Sequence, residues 1–173
     1  IFKTIHNRFS IFFKFLFFIR YLFAVFFVAT LLFLIIPHFF DYKKKETLVR
    51  DELFQSYGLK ISEIETIKYR PFPVPHLQLI NSLGTLFTND IDIKIENLIL
   101  YPTFLSIYNF NNYQIKRIKL NKNRVEIDTN QINEFTKKLF SLKRKIFIKD
   151  LVLKVQNDKI NLVNLKSINF KNY

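Results

Sequence analysis

Few side chains in this sequence could perform chemistry, and their spacing favours no metal or cofactor site. The three histidines, His6, His38 and His76, have no Asp or Glu at a spacing typical of metal ligands. The chain has no Cys, which excludes disulfides, zinc–thiolate sites, iron–sulfur clusters and cysteine nucleophiles. It has two Gly, and no nucleophile elbow, phosphate-binding loop or dinucleotide-binding fingerprint. We therefore expect neither a metal nor a cofactor.

The most closely spaced acidic residues also argue against catalysis. Asp90, Asp92 and Glu96 fall in the segment DIDIKIE, in which polar residues alternate with Ile. Alternation with period two is typical of a strand, and it would place these carboxylates together on the solvent face. A solvated face explains them more simply than a pair of carboxylates for general acid–base catalysis. We expect that the protein is not an enzyme.

Charge is the next feature that suggests a function. The 173 residues carry a net charge of +13, which first suggests a nucleic-acid binder. However, residues 1–45 hold seven basic residues and one acidic residue, so nearly half of the excess charge lies there. The richest later zone, Lys116 to Lys149, holds eleven basic and three acidic residues, and its aromatics resemble core residues rather than stacking platforms for bases. Solvated lysines, an anionic-lipid patch and a nucleic-acid patch stay open as interpretations, and we expect no nucleic-acid partner.

The first forty residues are typical of a membrane anchor. Residues 21–40 contain no charged side chain, and twenty helical residues at ~1.5 Å each span the ~30 Å hydrocarbon core. A core helix of a soluble domain rarely stays apolar on every face for this length. A cleaved signal peptide needs a shorter apolar stretch and a small-residue cleavage site, which IIPHFFDYKKK lacks. We predict a basic juxtamembrane segment at residues 1–20 and an uncleaved transmembrane signal anchor at residues 21–40.

Basic residues flank this anchor on both sides. Lys14 and Arg20 precede the uncharged run, and Lys43, Lys44 and Lys45 follow it. Such residues place their charges among anionic headgroups. The numbers of basic residues before and after the run are nearly balanced, so charge alone does not set the orientation. We expect the usual arrangement, with the N-terminus inside and the C-terminal domain exported.

The remaining sequence predicts an amphipathic helix followed by strands. Val49, Leu53 and Tyr57 recur every four residues over Glu46–Tyr57, and Gly58 is a natural stop for that helix. Apolar residues then alternate with polar ones, which predicts strands with one dry face. The apolar strand positions are Ile91, Ile93, Ile95, Leu98, Leu100, Ile118, Leu120, Val125, Ile127, Ile146, Ile148, Leu151, Leu153 and Val155.

The alternation slips by one residue at four places. The slips fall at Ile95 to Leu98, Ile115 to Ile118, Ile148 to Leu151 and Leu162 to Leu165. Each slip predicts either a β-bulge, which would add twist to the sheet, or a strand boundary. Both interpretations stay open at the level of sequence.

Shorter features interrupt the strands. Tyr101-Pro102 predicts the start of a helix over TFLSIYNF, and Asn130 is predicted to cap a second helix over QINEFTKKLFS. The three alternating prolines of Arg70–Pro75 exclude a sheet interior and predict a stiff crossing or an edge segment. Asn157-Asp158 lies between two apolar runs and predicts a hairpin turn.

The order of these features follows a known pattern. After the anchor and the helix that ends at Gly58 comes a Pro-x-Pro-x-Leu-x-Leu pattern at residues 73–79, and then the alternating strand Ile91–Leu100. The segments QIKRIKLNKNRVEI, IFIKDLVLKVQNDKINL and LVNLKSINF continue it. In this order the chain resembles the N-terminal part of the AsmA-like family of bacterial inner-membrane proteins. It departs from the family by lacking a Gly in Ile61–Ile67 and another near Asn157-Asp158.

The resemblance implies a fold and a function. The implied fold class is α+β, mainly antiparallel β, with an N-terminal transmembrane helix followed by a curved, groove-forming β-sheet with short helices. Residues 46–173 would be the N-terminal portion of an AsmA-like β-groove domain, truncated at its C-terminus. AsmA-like proteins are similar to bridge-like lipid transfer proteins with chorein-type N-terminal regions, in which acyl chains slide along an apolar groove. The resemblance therefore implies phospholipid transport between the inner and outer membranes by a single-pass inner-membrane protein with a periplasmic domain.

Two other functions stay open. In the first, the protein is a membrane-anchored structural or assembly factor, the apolar strand positions close on the helices, and the domain binds another envelope protein. A continuous open trough on the sheet would favour lipid, whereas a closed two-layer core would favour the assembly factor. The second, a membrane-tethered cytosolic binder of nucleic acid, requires the opposite topology.

Overall fold

The chain forms two compact units, Ile1–Phe39 and Phe40–Tyr173. The structure is a computed structural model, and it describes residues 2–87, 91–109, 113–157 and 160–172.

The first unit consists of helix α1 (Phe2–Ile35) and a short 3-10 turn, Ile36–Phe39. The helix lacks Gly and ends before Pro37, whose ring and missing N–H stop an α-helix. The hydroxyl of Thr30 donates to the carbonyl oxygen of Phe26 at 2.8 Å, so this polar group is satisfied inside the apolar stretch. The stretch Phe12–Phe39 is long and apolar enough to span a membrane, as the sequence predicts. The helix runs through residues 20 and 21 without interruption.

The second unit contains two short α-helices and six strands. Helix α2 (Glu46–Tyr57) precedes all the strands, and helix α3 (Ile132–Ser141) lies between the fourth and fifth. The strands are β1 (Leu59–Arg70), β2 (His76–Leu86), β3 (Ile91–Pro102), β4 (Ile115–Asp128), β5 (Lys145–Asn157) and β6 (Ile160–Lys171). The predicted α+β class, with an apolar N-terminal helix, a mainly antiparallel sheet and short helices, is confirmed.

The six strands form one open sheet in chain order, with β1 and β6 at its edges. All neighbouring strands are antiparallel except β4 and β5, which are parallel. A parallel connection needs a crossover, and α3 supplies it by returning the chain to the end of the sheet at which β4 began. The alternating patterns of β4 and β5 do not predict this parallel pair.

We name the two ends of the sheet after residues that lie there. At the Phe40 end, Arg70 pairs with His76, Tyr101 with Arg117 and Arg117 with Lys145. The ring of Phe40 packs edge-on against Tyr108 at 5.7 Å in the loop that follows β3. At the Gly58 end, β1, β2 and β3 meet through Leu59, Leu86 and Ile91.

The α-helical boundaries agree with the sequence in one case and differ in another. Helix α2 has the predicted bounds, and Gly58 has a φ of 64° with its N–H directed at the carbonyl oxygens of Leu53 and Phe54. Helix α3 is preceded by a 3-10 turn whose N-cap is Asp128, so the predicted cap at Asn130 is wrong. Asp128 and Gln131 form a capping box, in which each side chain bonds to the other residue's backbone.

The connections between the strands agree with the sequence predictions at some positions and differ from them at others. Pro102 ends β3 rather than opening a helix, and only the single 3-10 turn Phe104–Ile107 follows it. Residues 71–75 connect β1 to β2 outside both strands, which agrees with the exclusion of these prolines from the sheet interior. Strand β5 ends at Asn157, and its predicted turn partner Asp158 lies outside the described residues.

The four slips of the alternating pattern lie inside continuous strands, so they are not strand boundaries. Asn81, Glu96, Lys122 and Asp150 fall in one row of the sheet, between two rows of directly paired residues. Asn81, Lys122 and Asp150 have positive φ angles of 50°, 53° and 54°. At this row, two successive residues of β2, β3, β4 and β5 point away from the core, and the alternation of buried and exposed residues then continues. We call it the phase-reversal row. The reversal keeps the apolar residues of both strand halves on one face of the sheet.

Candidate functional site

The apolar face of the sheet is the candidate functional surface, and most of it is buried. Residues on this inner face form a single core cluster with side chains of α2 and α3. Thirteen of the fourteen predicted groove positions are buried in this cluster, and Leu153 is partly buried. The thirteen are Ile91, Ile93, Ile95, Leu98, Leu100, Ile118, Leu120, Val125, Ile127, Ile146, Ile148, Leu151 and Val155.

Helix α2 is fixed to the sheet by apolar contacts and by polar links. Leu53 and Tyr57 are fully buried on its inner side. The hydroxyl of Tyr57 donates to the carbonyl oxygen of Ile115 at 3.3 Å, and the N–H of Ile115 donates to Oε1 of Glu52 at 3.0 Å. Burial raises the pKa of Tyr57, so its hydroxyl stays a neutral donor at physiological pH. These contacts make α2 a fixed cover over the inner face.

Helix α3 covers a second part of the inner face. Phe135 and Leu139 are buried, and the ring of Phe135 lies 6.3 Å from that of Phe87 at the Gly58 end. A cavity of about 20 Å³ remains between α3 and the sheet, lined by apolar side chains and by Asn123. This volume accommodates about one water molecule, since a water needs roughly 10–15 Å³ measured in this way. It cannot hold an acyl chain, so the face beneath α2 and α3 is a closed core.

The inner face is uncovered where β5 and β6 approach the Gly58 end. Leu165 pairs with Leu153, and Val163 pairs with Val155. Directly paired residues share a face of a sheet, so Val163 and Leu165 extend the apolar inner face onto β6. Their exposed fractions are 48% and 45%, whereas Val155 beside them is buried. We call Leu153, Val163 and Leu165 the uncovered strip.

The cover ends within β6. Ile168 and Phe170, which pair with Leu151 and Ile148, are partly buried. The ring of Phe140 on α3 meets Phe170 edge-on at 5.2 Å. The helix therefore shields the part of β6 near the Phe40 end, and the uncovered strip begins beyond it. Strand β6 has a hydrogen-bonded neighbour on one side, β5, so its other edge is open within the described strands.

The outer face of the sheet carries charged side chains that form ion pairs. Lys122 lies 3.8 Å from Glu96, and Lys154 lies 3.0 Å from Glu126. Asp92 and Glu96 are exposed, as the alternation predicts, and Asp90 lies outside the described residues. Within residues 2–87, 91–109, 113–157 and 160–172, no three His, Asp or Glu side chains are grouped as metal ligands.

The Phe40 end of the sheet carries a cluster of aromatic side chains. Tyr42 stacks on Tyr69 with ring centroids 6.2 Å apart, and Lys45 lies over the ring of Phe40 at 4.9 Å. Burial raises the pKa of Tyr42 and Tyr69 and lowers the pKa of the Lys45 ammonium group. The phenols therefore stay protonated at neutral pH, and they pack as apolar rings rather than act as bases.

The predicted flanking basic residues lie in both units. Lys14 and Arg20 are exposed on α1, within the apolar stretch near its start. Lys43, Lys44 and Lys45 form a 3-10 turn that leads into α2, and Lys43 and Lys44 are exposed. Lys44 lies 3.7 Å from Asp41, which offsets part of the positive charge of this turn.

No protein-family model matches this chain, and no significant match was found among curated proteins. The resemblance to AsmA-like proteins consequently rests on the order and spacing of the sequence features.

Proposed function

We propose that this protein is a membrane-anchored lipid-handling protein of the AsmA-like type, which carries phospholipid between the inner and outer membranes of a bacterium. Helix α1 would be its single-pass anchor in the inner membrane, and residues 40–173 would lie in the periplasm. The observation that carries this proposal is the uncovered strip, an apolar extension of the core that the domain's own helices leave accessible.

An acyl chain suits this strip for physical reasons. Each buried CH₂ group contributes ~0.8 kcal/mol, so a few methylenes against Val163 and Leu165 suffice for weak, reversible contact. The strip pairs apolar side chains with apolar side chains, Leu165 with Leu153 and Val163 with Val155. Such a surface would hold many lipids loosely, as a conduit requires. The apolar stretch of α1 is long enough to span a membrane, and lipid would be the most abundant apolar neighbour of a chain anchored in this way.

The fourteen predicted groove positions would have two roles. The thirteen buried positions would support the closed base of the groove, because an acyl chain could reach them only if α2 or α3 moved away. Leu153 would contact lipid, and so would Val163 and Leu165, which are not among the groove positions predicted from the sequence. The row of positive-φ residues Asn81, Lys122 and Asp150 would give the sheet the curvature that a groove needs, because bulges and similar irregularities increase local twist.

A second candidate function has its own supporting observation. The inner face beneath α2 and α3 is a closed two-layer core, which is the arrangement expected of an assembly factor. The open edge of β6 presents backbone N–H and C=O groups to which an extended segment of an envelope protein could add as a further strand. In this case the partner's side chains would cover the uncovered strip.

Native mass spectrometry of the whole chain, released from detergent micelles, separates the two functions. The test variant is Leu165→Asp, and the matched control is Asn164→Asp, because Asn164 pairs with Lys154 on the opposite face of the same strand. We expect bound phospholipid in the wild type and in Asn164→Asp, and a several-fold loss in Leu165→Asp. Equal phospholipid in all three would overturn the lipid proposal. A protein adduct that is lost with Leu165→Asp would favour the assembly factor.

A further inference from the structure

Two loops at the Phe40 end of the sheet expose large apolar side chains. The β1–β2 loop exposes Phe72 to 64% and Val74 to 50%, and the turn after β3 exposes Phe104 to 59% and Leu105 to 72%. Val74 and Phe104 line the same open hollow of about 490 Å³, so the two loops are neighbours. We call Phe72, Val74, Phe104 and Leu105 the apolar rim.

Basic side chains surround the apolar rim. Lys116, Arg117 and Lys145 line the same hollow, and all three are exposed. Arg70 is exposed at the end of β1, directly before the β1–β2 loop. The guanidinium of Arg117 lies over the ring of Tyr101 at 4.1 Å, which holds its charge near the mouth of the hollow.

The anchor proposed for α1 would bring this end of the domain to a bilayer. Phe40 begins the second unit and directly follows the apolar stretch that ends at Phe39. One residue spans at most ~3.6 Å, so the chain leaves the apolar stretch within a few ångströms of Phe40. Because the ring of Phe40 packs against Tyr108, the attachment point lies beside the turn that carries Leu105.

We propose that the Phe40 end of the sheet is a membrane-docking surface, in which the apolar rim inserts between anionic phospholipid headgroups and the surrounding basic residues bind their phosphates. Apolar tips flanked by Lys and Arg are the combination that binds an anionic bilayer surface, because buried apolar area and electrostatic attraction add. The exposed carboxylate of Asp41, next to Phe40, already lies 3.7 Å from Lys44. Part of the basic zone from Lys116 to Lys149 therefore gains a function as a lipid-facing patch.

This docking does not depend on the proposed lipid transport. It would turn the Phe40 end of the sheet toward the membrane, and the uncovered strip lies toward the opposite end of the sheet. A domain docked in this way would direct the uncovered strip away from the bilayer to which α1 anchors it. The same docking would equally orient an assembly factor.

Fluorescence quenching in vesicles tests the docking. The chain contains no Cys, so single-cysteine variants at Phe72, Leu105 and, as a control at the Gly58 end, the exposed Asp92 can each carry one environment-sensitive dye. The labelled whole chain is reconstituted in vesicles of phosphatidylcholine and phosphatidylglycerol that contain a lipid with a nitroxide quencher near its headgroup. We expect a blue shift and several-fold stronger quenching at Phe72 and Leu105 than at Asp92. Equal quenching at all three positions would overturn the proposal.

A charge-reversal pair tests the electrostatic part. Lys116→Glu/Arg117→Glu reverses two charges at the Phe40 end, and Lys60→Glu/Lys94→Glu reverses two exposed charges elsewhere on the sheet. We expect the first pair to reduce quenching at Leu105 several-fold and the second pair to leave it unchanged. Circular dichroism of each variant confirms that it is folded. Identical quenching in the two pairs would refute the role of the basic residues, and undiminished quenching in vesicles of phosphatidylcholine alone would refute the selection of anionic lipid.

Discussion

Replacing Gly84 with Ala tests the pairing of β1 and β2 at a point where no side chain fits. Gly84 lies opposite Ile61, where the register of the β1–β2 pair shifts. A Cβ atom on residue 84 would lie 2.3 Å from the carbonyl oxygen of Lys60 and 3.0 Å from Cα of Ile61. An ordinary contact begins at 3.4 Å, so the two strands would have to separate by about 1.1 Å at this point. The obstacle is backbone, which cannot rotate away as a side chain can.

Three contributions set the effect of Gly84→Ala on the free energy of unfolding. Overpacking a well-packed site costs typically ~1–3 kcal/mol, and a separation of 1 Å also lengthens a neighbouring backbone hydrogen bond worth ~1 kcal/mol. The lower entropy of Ala in the unfolded chain offsets ~0.4–1 kcal/mol. We therefore expect Gly84→Ala to lower the free energy of unfolding by about 2 kcal/mol, which is a fall in Tm of about 8 °C for a domain of this size.

The assay is thermal unfolding of the whole chain in detergent, followed by near-ultraviolet circular dichroism of its tyrosines. The control is Ser82→Ala, on the same face of the same strand. The buried hydroxyl of Ser82 has no hydrogen-bond partner within the described residues, so its removal should leave Tm unchanged or slightly raised. If Gly84→Ala and Ser82→Ala melt at the same temperature, the register of β1 against β2 is wrong.

Three further predictions concern the core, the phase-reversal row and the cap of α3. Ile93→Asp should lower the free energy of unfolding by more than ~4 kcal/mol, because its carboxylate would be buried without a partner. Leu153→Asp should lower it clearly less, because Leu153 is only partly buried. An equal fall in Tm for the two variants would contradict the uncovered strip. Lys122→Gly should gain about 0.5 kcal/mol by relieving its positive φ, which Lys122→Ala cannot do, and chemical denaturation would measure the difference. Asp128→Ala should lower the free energy of unfolding by about 1 kcal/mol in the same assay. A larger loss in Asn130→Ala would indicate that Asn130 is the cap, as predicted from the sequence.

Features encoded over a few neighbouring residues could be predicted from the sequence. The spacing of Val49, Leu53 and Tyr57 predicts α2 with its observed bounds, because one helical face repeats every three to four residues and Gly58 adopts the left-handed conformation that ends the helix. The alternation over Ile91–Leu100 predicts β3 for the same local reason. The uncharged run in residues 21–40 predicts the part of α1 that is long and apolar enough to span a membrane.

Features that depend on distant partners could not be predicted in this way. The parallel pairing of β4 and β5 is set by where α3 returns the chain, and no pattern within either strand encodes it. The slip from Ile95 to Leu98 continues a single strand because neighbouring strands reverse phase at the same row, which becomes visible only once their register is known. Asn130 and Asp128 are both good caps, and the choice between them is made by Gln131, whose side chain reaches the backbone of Asp128.

The residues of the candidate site could likewise be predicted only in part from the sequence. Alternation predicts that Ile93 and Leu153 belong to one apolar face, and both do. It does not predict which part of that face α2 and α3 cover, because cover depends on how far each helix reaches across the sheet. Val163 and Leu165 consequently gained their importance only from the pairing of β6 with β5. The alternation of apolar and polar residues in LVNLKSINF could have suggested them as strand residues, but not as the uncovered ones.

Photo-crosslinking on β6 in native membranes tests the central claim, that the uncovered strip contacts lipid, most directly. A photoreactive amino acid is placed at Leu165 in one variant and at Asn164 in the other, so that the two probes leave opposite faces of one strand. After irradiation, mass spectrometry identifies what each probe has captured. We predict phospholipid adducts at Leu165 and none above background at Asn164. Absence of lipid at Leu165, or equal lipid capture at both positions, would contradict the account.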